Sequence, residues 1–80
     1  MKGLMFMKCK IKLVWDKEAN KWYTETDDLL CLNLESDSFD ALVKRVILAA
    51  PEMLELNCGY KGPVQIHFEA ERIDELDLVS

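Results

Sequence analysis

The chain has 80 residues, half of them hydrophobic and nearly a third charged, with a net charge of −5 and a pI near 4.7. That is one globular domain, too apolar for disorder and too acidic for nonspecific binding to nucleic-acid phosphates. Three widely spaced cysteines without a CxxC pair exclude a disulfide framework and a zinc knuckle, and no apolar run reaches the length of a membrane span.

Met5 to Trp15 alternates. Met5, Met7, Cys9, Ile11, Leu13 and Trp15 point one way, and Phe6, Lys8, Lys10, Lys12 and Val14 the other. This predicts a first strand with one buried face and a lysine ladder on its opposite face, paired with glutamates of neighbouring strands. Lys8 and Lys10 interrupt the early apolar residues, so no leader-peptide core is expected at the start. Asp16 to Lys21 is a polar turn, with Asn20 suited to a left-handed corner. Trp22 to Asp27 then pairs back as a second strand. Leu29 to Glu35 predicts a third strand, with Leu30, Leu32 and Leu34 on one face and Cys31, Asn33 and Glu35 on the other. Cys9 and Cys31 read as buried, reduced thiols, which suits a cytoplasmic protein.

Ser38 to Asn57 is the element on which the strands must pack. Phe39, Leu42, Val43, Val46, Ile47, Ala50, Met53 and Leu54 share one helical face. Asp37 or Ser38 can cap the first turn, and Asp40 favours its dipole. Pro51 lies inside the pattern and lacks an amide for the carbonyl of Ile47, which predicts a kink, or a break with a second short helix. Gly59 suits a left-handed cap. Val64, Ile66, Phe68 and Ala70 alternate with Gln65, His67, Glu69 and Glu71 in a fourth strand. Ile73 to Ser80 is acidic and reads as a helical turn or a frayed tail.

The order β-β-β-α-β predicts an α+β domain. A right-handed crossover places the fourth strand beside and parallel to the first, in spatial order 3-2-1-4, with one kinked helix on one face. The other face, carrying Lys8, Lys10, Lys12, Gln65, His67 and Glu69, is left to water or to a partner.

Two constellations invite a chemical reading. Asp16, Glu18, Asp27 and Asp28 lie near sheet corners, and clustered carboxylates bind Mg²⁺ in metal-dependent nucleases. Asp16 and Asp27, however, fall towards opposite ends of the first hairpin. His67 with Glu69 offers a general base, but no nucleophile accompanies it, and a surface histidine is the plainer reading. Trp15 and Trp22 read as packing and Lys44-Arg45 as a solvated helix face. No catalytic residue, cofactor site or metal site is expected.

The run VWDKEANKWYTETDDLLCLNLESDSFDALVKRVILAAPEMLELN resembles short bacterial and archaeal proteins allied to HicB-type antitoxins. The likeness lies in the hairpin WDKEANKW, DDL before strand three, the strand end LES, and the helical segments DSFDALVKRV and APEMLELN, and it covers about residues 11–70. It implies a domain like half of a ribonuclease H fold without its metal site, binding and blocking a small basic RNA-cleaving toxin. Asp27, Asp28 and Glu35, at the rim of the open face and first hairpin, are the partner-binding residues expected on this reading. Asn20 stands where the family tends to have Gly, and Leu30-Cys31-Leu32 where it tends to have a Pro-Gly-Cys or Gly-Leu turn. HicB antitoxins usually add a C-terminal DNA-binding segment, for which the residues after strand four are too few, so no direct nucleic-acid contact is expected. A homodimer joined through edge strands three or four remains the alternative to the antitoxin reading, beside the nuclease.

Overall fold

The computed structural model describes residues 6–26 and 30–77. In chain order the elements are β1 (Met7–Asp16), β2 (Lys21–Thr26), β3 (Glu35–Ser36), α1 (Phe39–Cys58) and β4 (Val64–Glu71). They form a four-stranded sheet in the order β3-β2-β1-β4. β1 pairs antiparallel with β2, from Ile11 opposite Thr26 to Asp16 opposite Lys21. It pairs parallel with β4, from Met7 opposite Val64 to Val14 opposite Glu71. This is the α+β topology that a right-handed crossover dictates.

The alternation of β1 places Cys9, Ile11 and Leu13 in the core. At the corner the Asp16 carboxylate accepts from the amides of Glu18 and Ala19, and Asn20 takes a left-handed φ of 55°. That carboxylate mimics a backbone turn and fixes the register of the hairpin. Val14 departs from expectation. It faces away from α1 but is buried, shielded by its in-register neighbours Tyr23 and Glu71.

Ser38 caps α1, its hydroxyl accepting from the amide of Ala41 at 3.2 Å. Of the two expected caps, Asp37 and Ser38, the structure thus selects Ser38. Leu42, Val46, Ala50 and Leu54 recur every four residues and are fully buried. Each large side chain so buried is worth about 1.5–3 kcal/mol, so this stripe outweighs any surface ion pair. The expected break at Pro51 does not occur, and one helix runs through it to Cys58. Gly59 ends the helix at φ 67°, and its amide donates to the Glu55 carbonyl. The Tyr60 hydroxyl then donates to the Pro63 carbonyl at 2.6 Å. Gly62 sits so close beneath that ring that an added Cβ would lie 2.9 Å from the Tyr60 hydroxyl oxygen. This tight connector sets where β4 begins.

The third strand is much shorter than expected. Leu29 lies outside the described residues, and of Leu30 to Ser36 only Glu35 and Ser36 join the sheet, opposite Tyr23 and Trp22. Cys31 takes a left-handed φ of 49°, which interrupts extended pairing and turns its side chain outward. The expectation that Cys31 is buried is therefore corrected, while Cys9 is buried as expected. Threonine hydroxyls replace part of the missing ladder. Thr24 Oγ1 donates to the Leu32 carbonyl at 2.7 Å and accepts from the Leu34 amide at 3.0 Å. Thr26 Oγ1 accepts from the Leu32 amide at 3.1 Å. So held, Leu30 and Leu32 still reach the core beneath α1.

A second core cluster closes the hairpin end. It joins Leu13, Trp22 and Leu42, and Trp22 meets Phe39 edge-on at 4.9 Å between ring centroids. Residues 72–77 form no helical turn. They are nonetheless anchored, with the Arg72 guanidinium 4.4 Å from the Trp15 ring centroid and Lys17 3.1 Å from Glu75.

Candidate protein-docking surface

The helix covers one face of the sheet and leaves the other bare. On the bare face Lys8 stands beside Gln65, Lys10 beside His67 and Lys12 beside Glu69. Lys10 reaches diagonally to Glu69 at 3.9 Å, and Lys12 to Glu71 at 3.7 Å. The lysine ladder is thus matched by carboxylates, as expected of a solvated sheet face. Lys8 has no such carboxylate, because the residue diagonal to it is His67, and it makes no ion pair among the described residues. His67 is exposed beside Lys10 on a strand whose Glu69 is already engaged.

The bare face ends at β4, an edge strand. The Met7 amide donates to the Pro63 carbonyl at 3.0 Å. In a parallel ladder a residue bonds to the two neighbours of its partner. Pro63, Gln65, His67 and Glu69 therefore turn their backbone groups to β1, while Val64, Ile66, Phe68 and Ala70 offer theirs to the outer edge. Alongside lies an apolar cleft between β4 and α1, lined by Ile47, Pro51, Gly62, Val64, Ile66 and Phe68. Ile47 is 51% exposed and Leu48 79%. Ile47, expected in the core, falls outside the strict four-residue stripe and faces the cleft with Pro51 one turn on.

The opposite side differs in charge. Glu18 lies in the hairpin turn, Glu25 on β2, and Asp37 and Asp40 at the entry to α1. All four are exposed and none makes an ion pair among the described residues. Glu35, an expected contact residue, is partly engaged. Its carboxylate lies 3.4 Å from Lys21, and its carbonyl accepts from Arg45 at 2.8 Å. Asp27 and Asp28, the other two, lie outside the described residues.

Of the four carboxylates weighed for a metal, Asp16 and Glu18 lie at the first hairpin turn, and Asp27 and Asp28 lie outside the described residues. Asp16 also spends its oxygen on the turn amides. No group of three or more metal-ligating side chains gathers among the described residues. Among them, too, no helix is long and apolar enough to cross a membrane.

Sequence reading named strand four as an open edge but did not find the apolar cleft beside it. Two signals carry it: Ile47 stands outside the four-residue helical stripe, and the crossover leaves strand four with one neighbour.

An α+β sheet with one covered face, a bare face and an open apolar edge defines a small domain whose exposed features are surfaces. The chain belongs to the family described as a domain of unknown function, DUF1902, whose profile matches residues 8–79. It is similar to the crystal structure of hypothetical protein TTHA1013 from the extremely thermophilic bacterium Thermus thermophilus, at 31% identity and a TM-score of 0.71. That match covers 86% of this chain and 99% of the other. No curated protein matches the chain.

Proposed function

We propose that this chain is a non-catalytic, HicB-like protein-binding module that holds a small basic RNA-cleaving protein in an inactive complex. The observation that carries the reading is the uneven charge of the two sides. On the β1–β4 side the carboxylates of Glu69, Glu71, Asp74 and Glu75 face Lys10, Lys12, Arg72 and Lys17 in turn. On the β2–β3 side Glu18, Glu25, Asp37 and Asp40 stand exposed and make no ion pair among the described residues, although Lys12 is the in-register neighbour of Glu25. An RNA-cleaving protein needs a cationic surface for phosphates. Exposed carboxylates on this side would compete with RNA for that surface and speed encounter with it. The reading places the protein in the cytoplasm, where the thiols of Cys9, Cys31 and Cys58 would stay reduced.

The test is to purify the chain with the product of the adjacent gene, expected to be a small basic protein, and to follow RNA cleavage. The expected result is stoichiometric inhibition that weakens with salt. Charge reversal by Glu25→Lys with Asp37→Lys should weaken the complex by about tenfold or more. Full cleavage in the presence of excess chain, with no complex formed, would refute the proposal.

A further inference from the structure

We infer that the outer edge of β4 is the interface between two copies of this chain, which join antiparallel about a two-fold axis near His67 and Phe68. The backbone groups of Val64, Ile66, Phe68 and Ala70 point outward along that edge. An exposed edge strand of this kind is a template for strand pairing. The same four residues point their side chains to the α1 side, where Ile47 and Pro51 complete the apolar cleft. Pairing two copies brings the two clefts together into one buried seam, with the half-exposed Ile47 of each copy at its border.

Charge selects a second copy as the occupant. Along the bare face the β1–β4 edge runs from Lys8 and Gln65 at one end to the Lys10–Glu69 and Lys12–Glu71 pairs at the other. Lys8 has no carboxylate within its own chain among the described residues. A two-fold axis across the edge reverses one gradient against the other. With the axis at His67, Glu69 of one copy falls opposite Gln65 of its partner, whose Lys8 stands one strand further in, and the relation holds twice. A parallel arrangement of the same two edges would turn one copy over, put the two helices on opposite faces and keep the two apolar clefts apart. The self-complementarity is what an isologous contact requires. This interface leaves the acidic β2–β3 side free, so it stands independently of the proposed basic partner.

The test uses the full chain in sedimentation equilibrium with hydrogen exchange read across a dilution series. The expected species has twice the 9.3 kDa chain mass at high concentration. The amides of Ile66, Phe68 and Ala70 should lose protection on dilution, while those of Gln65, His67 and Glu69, already bonded to β1, keep theirs. Ile47→Glu, at an exposed position, sets a charge in the seam and should weaken the dimer by at least about tenfold with its circular dichroism unchanged. Lys8→Glu should weaken it by a smaller factor. A chain that stays monomeric at millimolar concentration overturns the inference. So does a dimer indifferent to Ile47→Glu, and so does protection of the Ile66 and Phe68 amides that appears only with the basic partner.

Discussion

The two halves of the sheet are built on different principles. The β1–β4 half is a regular parallel ladder along the whole of β4, with apolar residues on one side and a lysine–glutamate lattice on the other. The β2–β3 half has two ladder pairs and one further backbone bond, from the Thr24 amide to the Leu34 carbonyl, and relies on the hydroxyls of Thr24 and Thr26 to hold the rest of residues 32–34. The first half is stabilised by repetition, so each contact is replaceable. The second is stabilised by a few polar anchors and by Leu30 and Leu32 in the core, so each matters more. Where backbone groups cannot meet one another, side chains must satisfy them, because a buried unpaired group is costly.

The sharpest way to test this contrast is to remove the apolar anchor of the irregular half. Leu30→Ala, at a fully buried position, should cost about 2–5 kcal/mol in denaturant unfolding. A loss no larger than that of a surface substitution would show that residues 30–34 do not belong to the cooperative core. Next in size, Thr24→Val should cost about 1–3 kcal/mol, since it strands the Leu34 amide and the Leu32 carbonyl. Its signature is faster hydrogen exchange at Leu34 with the β4 amides unaffected. If β4 loosens equally, the halves are not independent.

Gly59→Ala tests the regular half through the connector that delivers β4. Space around Gly59 is open, so the cost is conformational alone, about 1–2 kcal/mol for a left-handed non-glycine residue. A fall in melting temperature with unchanged dimerisation is expected, and an unchanged melting temperature would contradict the left-handed cap. Lys12→Met should have the smallest effect, no more than about 1 kcal/mol, because its partner Glu71 lies at an exposed surface. A larger loss by thermal unfolding would mean that the lattice on the bare face acts as a network.

Much of this fold was legible in the sequence because its signals are periodic and local. The alternation of β1 and β4, the left-handed corner at Asn20, the helix with its Ser38 and Gly59 ends, and the 3-2-1-4 order all follow from them. The third strand was legible only in part. Leu30, Leu32 and Leu34 alternate as a strand should, yet the left-handed Cys31 breaks the extended run while both flanking leucines stay buried. The candidate surface was less legible still. Glu35 was identified by its place at the rim, but its engagement with Lys21 and Arg45 depends on residues far along the chain. Ile47 looked like core by its helical spacing, and only the position of α1 over the sheet turns it to the cleft.

By itself the sequence determined the elements, their order and the sign of the net charge, since each depends on spacing between near neighbours. Only the tertiary structure decided which carboxylates are neutralised, which strand edge is left open and which helix residues border it. Those are distances between residues remote in the chain, set by how one helix seats on four strands, and local periodicity carries no record of them.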